Sequence, residues 1–222
     1  MLAINPRPAS IKPELLQKYK TITPAAMGHH IESGIISSAL KPARGGISFV
    51  GTAITVQCLG RDSAIVHKVI DLLQPGDVLV IDRGGDMRYA CWGEMMTLAA
   101  HLRGCAGVIL DGLATDIQFI RECPMPVFSK GFTPLTTQLS GSQGSINQPI
   151  QCGGVVVQPG DLVCADDNGV AILNPALAEK LYDLFAAEEE GDAQYRDQLN
   201  AGKLPSELSA IDALISAHAT SH

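Results

Sequence analysis

The strongest constraint on this chain is a series of short apolar runs, separated from one another by stretches with helical spacing. ISFVGTAITVQC (47–58) has the β-branched content of a strand. VLVID (78–82) and GVILD (107–111) are continuous apolar runs, as in strands buried on both faces. Between the first two lies SAIVHKVIDLL (63–73), apolar at helical spacing and ending at the turn Gln74-Pro75-Gly76-Asp77. Between VLVID and GVILD the spacing predicts a helix opening near Cys91 to Gly93. It carries Cys91, Met95, Leu98, Ala99 and Leu102 on one face and is closed by Gly104. After GVILD come the loop GLAT, a short helix from Asp116 and the strand PVFSK (126–130). This order is that of right-handed βαβ units on a mostly parallel sheet, an α/β fold.

The flanks read differently. Residues 12–39 predict two helices, PELLQKYK and a stretch near PAAMGHHIESGIISSAL. TPLTTQLSGSQGSINQPIQ is polar and predicts a surface excursion or a β-hairpin region. GGVVVQPGDLVCADDNGVAIL (153–173) reads as three strands joined by turns, and Asn174-Pro175 opens a long helix that Gly202 ends. PGDVLVID (75–82) echoes PGDLVCAD (159–166), which reads as one kind of turn used twice. The expected organisation is an N-terminal helical arm (1–22), a core (23–174), and a C-terminal helix with its tail (175–222).

Composition narrows the function. The 222 residues are 46% apolar and 18% charged, enough to build a core. A net charge of −7 leaves little to neutralise phosphates, so a nucleic-acid partner is not expected. No apolar run reaches the roughly 18 residues of a membrane span. The start MLAINPRPASIKPELL lacks a basic-then-apolar signal, so the expected location is cytoplasmic. Cys58, Cys91, Cys105, Cys123, Cys152 and Cys164 form no Cys-x-x-Cys pair and sit mostly in apolar runs, the pattern of core thiols. His67 and His101 fall in expected helices, and His218 and His222 in the tail. Adjacent His29 and His30 would point about 100° apart on a helix, so no zinc site is expected.

In open parallel sheets ligands bind beyond the carboxyl ends of the strands. Here those ends deliver Asp82 with Gly84-Gly85, and Asp111-Gly112 with Thr115-Asp116. The helix that follows the first loop exposes the amides of Gly93, Glu94, Met95 and Met96, an anion site. Asp82 and Asp111 are equally explained as loop anchors, Asp116 as the cap of its own helix, and the glycines by turn geometry. No P-loop or G-x-G-x-x-G pattern is present. The residues alone describe a cleft for an anion and a divalent cation.

GGDMRYACWGEMMTLAAHLRGCAGVILDGLATD (84–116) resembles the signature of the RraA-like family, which includes 4-hydroxy-4-methyl-2-oxoglutarate aldolases and the regulator of ribonuclease E activity. Its hallmarks stand here as Gly93-Glu94, Ala106-Gly107 and Asp111-Gly112-Leu113-Ala114-Thr115-Asp116. VGTAITV, PGDVLVID, PVFSKG and PGDLVCADDNGVAIL extend the likeness over roughly residues 20 to 205. The resemblance implies a swivelling β/β/α-type domain in a homotrimer or a dimer of trimers. It further implies a class II lyase that cleaves a 4-hydroxy-2-oxo acid to pyruvate or decarboxylates oxaloacetate. The amides of Gly93, Glu94, Met95 and Met96 would hold the pyruvate carboxylate, and Asp116 a Mg²⁺ or Mn²⁺ ion. An acidic residue of the neighbour's C-terminal helix would contribute, with Asp192 the best match and Glu190 the second.

One position departs from the motif: Thr115 stands where it has arginine. A hydroxyl replaces a charged, bidentate fork. Three readings follow. Another cation, Lys130 or Arg88, compensates; the substrate has changed; or catalysis is lost. The last corresponds to a non-catalytic ring that binds a protein partner such as a ribonuclease.

Overall fold

The computed structural model of the protein describes residues 2–219. The chain opens with β1 (Leu2–Ile4) and two short helices, α1 (Pro13–Tyr19) and α2 (Pro24–Gly28), each with proline in its first turn. Proline is tolerated there because the missing N–H would have no helical partner. Thr23 caps α2, accepting from the Ala26 amide at 3.1 Å. The second helix, expected as far as residue 39, ends at Gly28. The chain must instead extend to reach the sheet, where Ile35 bridges Ala171. Gly34, at φ +88°, permits this because a Cβ there would strike the Ile172 carbonyl.

Next come β2 (Lys41–Pro42), β3 (Ser48–Gln57), α3 (Ala64–Ile70), β4 (Asp77–Asp82) and α4 (Glu94–Leu102). They are followed by β5 (Gly107–Asp111), β6 (Leu113–Ala114), α5 (Ile117–Glu122), β7 (Val127–Ser129) and β8 (Gly131–Phe132). The remaining strands are β9 (Gly144–Ile146), β10 (Ile150–Cys152), β11 (Val155–Val157), β12 (Leu162–Asp166) and β13 (Gly169–Leu173). The chain closes with α6 (Pro175–Asn200), a 3₁₀ turn (Pro205–Glu207) and α7 (Ile211–Ala219). His222 lies outside the described residues.

The main sheet has the order β1-β9-β3-β4-β5-β7-β2, and β12 pairs with both β3 and β13. Its centre, β3-β4-β5-β7, is parallel throughout. Every residue of β4 is buried, as a strand covered on both faces requires. Leu79, Ile81, Val108 and Leu110 pack against Val66, Val69, Ala100 and Ile120 of α3, α4 and α5. On the opposite face Val78, Val80, Ile109 and Phe128 meet Ile150, Cys152 and Val157 of the β10-β11 hairpin. A third cluster seats Tyr19, Met27 and Phe185 on Leu162 and Ala171. All six cysteines are buried free thiols. Among the described residues no helix is long and apolar enough to cross a membrane.

The two Pro-Gly-Asp segments form the same turn. Gly76 and Gly160 have φ of +87° and +93°. Asp77 and Asp161 accept from the amides of Gln74 and Gln158 at 2.7 and 2.8 Å. One turn leads into β4 and the other into β12, both neighbours of β3: β12 pairs along Ser48–Thr52 and β4 along Thr52–Gln57.

Two other expectations are corrected. Within 133–151, expected as a surface excursion or a β-hairpin region, Gly144–Ile146 is buried and joins the main sheet between β1 and β3, so this stretch is not wholly a surface excursion. Gly144 allows the approach, since a Cβ would lie 2.7 Å from Ile65 Cγ2 and 2.8 Å from the Gln57 carbonyl. In α4 the inward residues are Thr97 and Ala100, whereas Met95, Leu98 and Leu102 are 61%, 39% and 75% exposed. Thr97 sets this rotation. Its Oγ1 donates to the Gly93 carbonyl and accepts from Trp92 Nε1, both at 2.8 Å, which pins a polar residue under the helix.

Candidate active site

The loop from β4 to α4 is held by a buried arginine. Arg83 donates to the carbonyls of Cys58 (2.5 Å) and Gly60 (2.7 Å) and to Asp86 Oδ2 (2.8 Å), with the Tyr89 carbonyl at 3.4 Å. Gly112 makes room for it, since a Cβ there would lie 2.5 Å from Arg83 Cγ. The two strand-end aspartates serve as loop anchors. Asp82 accepts from the Gly84 amide at 2.6 Å, and Asp111 accepts from the Gly153 amide at 2.7 Å and pairs with Lys130.

Trp92 and Gly93 run beside Ala114–Asp116, with Trp92 bridging Ala114 and its carbonyl accepting from the Thr115 amide at 2.9 Å. Asp116 is left-handed, at φ 56° and ψ 44°. Although it stands at the N-cap of α5, its side chain does not cap that helix. Instead Oδ2 accepts from the Glu94 amide at 2.9 Å, and Thr115 Oγ1 approaches Oδ1 at 3.4 Å. The expectation that Asp116 caps its own helix is thus corrected: the left-handed turn aims the carboxylate at the first turn of α4. It occupies one of that turn's amides, and helix geometry leaves those of Met95 and Met96 without an intrahelical partner.

This corner forms one wall of a cavity of about 270 Å³. Ala90, Cys91, Trp92, Gly93, Glu94, Met95 and Met96 line it with Thr115 and Asp116, while Ser63 and His67 come from the start of α3 and Thr136, Thr137 and Leu139 from the loop before β9. That loop is stitched down by the Ala90 amide on the Leu135 carbonyl (2.8 Å) and the Thr137 amide on the Ala90 carbonyl (3.1 Å). Asp62 clamps its far end, accepting from the amides of Ser140, Gly141 and Ser142 and from Ala64. Burial pushes the Asp62 carboxyl up, but these donors outweigh it and hold it well below the usual carboxylate range. A hydrogen bond with Cys58, together with burial, pushes the Cys91 thiol well above its ordinary range.

The Asp62 clamp gives a direct expectation. Because the folded-state value is depressed, its stabilisation is present above the unfolded carboxylate range, about pH 4, and is lost as pH falls below it. Asp62→Ala should cost about 1–2 kcal/mol, since the exposed loop amides regain water, and should flatten that acid-side loss. Urea unfolding at neutral pH and near pH 3 checks this; identical acid sensitivity in both proteins would contradict it.

The structure gathers Gly93, Glu94, Met95, Met96, Thr115 and Asp116 around one cavity. It does not bring in Lys130, whose ammonium is taken by Asp111. Arg88 lies against the Tyr89 ring. Asp192 and Glu190 lie on α6 past its last buried residue, Phe185, and are exposed. Among the described residues no lysine or arginine lines the cavity. His67, Ser63, Thr136, Thr137 and Leu139 escaped sequence reasoning. Helical periodicity places His67 on the polar face of α3, but nothing local marks what that face meets.

On the outer side of Asp116, Glu94 and Glu122 border a second hollow with Ile117, Gln118 and Phe119. Among the described residues no three His, Cys, Asp or Glu side chains come together as a closed ligand set. The donors at hand are carboxylate oxygens, Asp116 and Glu94, which fit a hard, hydrated divalent ion held by one or two carboxylates. A larger cavity, about 470 Å³, lies near Gly34, Val155 and Leu173. Its buried carboxylate, Asp161, serves its own turn, so we place the chemistry in the smaller one.

Residues 21–172 match the Aldolase/RraA description of the RraA-like family. A Halalkalibacterium halodurans protein named "Putative 4-hydroxy-4-methyl-2-oxoglutarate aldolase" is 34% identical over 163 residues, 73% of this chain and 77% of that one. The crystal structure of Streptomyces coelicolor RraAS2, described as an unusual member of the RNase ES inhibitor RraA family, is 28% identical with a TM-score of 0.75, covering 85% of this chain and 99% of that one. The RNA-processing inhibitor RraA from Thermus thermophilis is 29% identical with a TM-score of 0.62, covering 68% and 92%. On the matched span and these likenesses, the chain belongs to the RraA-like family.

Proposed function

We propose that the cavity at the start of α4 binds a small 2-oxo acid and that the protein is a divalent-metal-dependent lyase. The reaction is retro-aldol cleavage of a 4-hydroxy-2-oxo acid releasing pyruvate, with oxaloacetate decarboxylation as its close relative. The observation that carries this reading is Asp116: a left-handed aspartate whose carboxylate is fixed on the Glu94 amide, at the edge of a cavity walled by a helix N-terminus. The name of the aldolase relative supports the reaction class.

The amides of Met95 and Met96 receive the substrate carboxylate, favoured by the helix dipole. Asp116, with Glu94 beside it, would hold a Mg²⁺ or Mn²⁺ ion. When bound, the ion acts as a Lewis acid on the 2-oxo group. His67 is the lining side chain suited to take the proton of the 4-hydroxyl as the carbon–carbon bond breaks. The hydroxyls of Ser63, Thr136 and Thr137 orient the substrate.

The exposed stripe Met95, Leu98 and Leu102 is proposed to be covered by a second copy in a homotrimer or dimer of trimers, which would bring the neighbour's Asp192 to the site. A single-copy mass by light scattering would remove that part. A second reading, a non-catalytic ring binding a ribonuclease, is favoured by the two solved relatives, one of an RNase ES inhibitor family and one an RNA-processing inhibitor. Retention of the protein on an immobilised ribonuclease E at moderate salt, without lyase activity, would select it.

The deciding assay is pyruvate release from oxaloacetate and from 4-hydroxy-2-oxo acids with and without a second carboxylate. Release should vanish in EDTA and return with Mg²⁺ or Mn²⁺. No release from any of these acids overturns the lyase reading.

A further inference from the structure

We propose that Cys58 and Cys91 are a modification site, a dithiol that a small hydroperoxide such as hydrogen peroxide oxidises reversibly to a disulfide. Cys58 directly follows β3, and Cys91 stands in the loop between β4 and α4. Both belong to one buried cluster, and their thiols share a hydrogen bond. The Arg83 guanidinium holds the two segments side by side. Its Nη1 donates to Cys58 Sγ at 3.0 Å, and its Nη2 lies 3.4 Å from the Tyr89 carbonyl, two residues before Cys91. Cys91 is also part of the cavity wall and keeps 5% of its exposure, whereas Cys58 is fully enclosed. One sulfur therefore meets small solutes, and the other lies behind it.

The surroundings of this pair differ from those of other thiols in the core. The hydrogen bond from Cys91 lowers the Cys58 thiol below its ordinary range; burial opposes this, and Arg83 adds to the lowering. Cys105 and Cys164 instead donate to main-chain carbonyls, and burial pushes them up to about 11 and about 12. An anionic Cys58–Cys91 pair keeps one proton, which can pass along the hydrogen bond between the sulfurs. On Cys58 that proton points to the Asp62 carbonyl, 3.3 Å away. The Cys91 thiolate then attacks one peroxide oxygen: an S–O bond forms, the O–O bond breaks and hydroxide leaves. That hydroxide takes the Cys58 proton and becomes water. The Cys58 thiolate attacks the Cys91 sulfenic sulfur, forming the S–S bond and expelling a second hydroxide, which takes a proton from solvent. In total the pair loses two electrons and two protons, and one peroxide becomes two waters.

The test maps the disulfide in the full-length protein in its native assembly. Trypsin, cutting after lysine and arginine, leaves Cys58 in 45–61, Cys91 in 89–103, Cys105 in 104–121 and Cys123 in 122–130, so each is read separately. After brief exposure to hydrogen peroxide and alkylation of the remaining thiols, mass spectrometry should find 45–61 joined to 89–103. Cys58 and Cys91 should become unavailable to the alkylating agent about tenfold or more faster than Cys105 and Cys123. The chain should still run as a monomer on a non-reducing denaturing gel, and dithiothreitol should restore both thiols. In Cys58→Ala, Cys91 should instead stop as a sulfenic or sulfinic acid. Loss of all four thiols at one rate overturns the proposal, as does a disulfide between chains or with another cysteine. No oxidation at all, the result if a neighbouring copy seals the cavity, overturns it too. The mapping of the unaltered protein decides even if Cys58→Ala does not fold.

Discussion

If the protein is the proposed lyase, Gly93→Ala is expected to lower its pyruvate release, measured as kcat/KM, by about 100-fold or more, while the protein remains folded. Gly93 has φ −161° and ψ −157°, extended backbone that alanine adopts freely. The requirement for glycine is therefore one of space. An added Cβ would collide with Asp116 Oδ2 and lie 2.6 Å from Thr115 Cγ2. To relieve this, the Asp116 carboxylate must leave the Glu94 amide, which is the contact that fixes it beside the helix terminus. The overpacking itself should cost about 1–3 kcal/mol of stability. Circular dichroism and urea unfolding separate that modest loss from the functional one. Unaltered turnover in a folded Gly93→Ala protein would show that the position of Asp116 is unimportant.

The largest expected effect on stability is at Arg83. Arg83→Met should cost about 3 kcal/mol, the range for removing one partner from a buried ionic contact, reduced because Asp86 retains 17% of its side-chain exposure. In a chain of this size that lowers the melting temperature by about 6–12 °C. Methionine fills the volume but leaves the carbonyls of Cys58 and Gly60 and the Asp86 carboxylate without their donor. The effect should extend to the site. Arg83 ties the loop carrying Ala90–Met96 to the segment leading into Ser63 and His67, so the proposed binding of 2-oxo acids should weaken as well. Differential scanning calorimetry reads the first effect and calorimetric titration the second. A melting temperature within about 2 °C of the unaltered protein's would show that the arginine's contacts contribute little net stability.

The elements legible in the sequence were those whose cause is local. VLVID and GVILD declare doubly covered strands because neither face of either run offers a polar side chain until the final aspartate. Asn174-Pro175 and Gly202 bound a helix because a cap and a left-handed stop act within one turn; Asn174 accepts from the Leu177 amide at 2.9 Å, and Gly202 has φ +90°. The helix after Gly28 and the inward face of α4 were misjudged for the complementary reason. Apolar periodicity says which residues could be buried, but Thr97 points inward because Trp92 and Gly93 hold its hydroxyl.

The sequence by itself determined the order of the main strands and helices from β3 to β7, and the placing of Gly93–Met96 and Thr115–Asp116 beyond the carboxyl ends of β4 and β5. Only the tertiary structure decided that Asp116 turns away from its own helix to reach an amide 22 residues earlier. It alone decided that Lys130 is engaged by Asp111, and that a polar loop, clamped by an aspartate about 80 residues before it, roofs the cavity. Local signals are written by neighbours within four or five residues, whose spacing the backbone imposes. A site wall is assembled from side chains far apart in sequence, and which of them meet depends on how all the layers pack together.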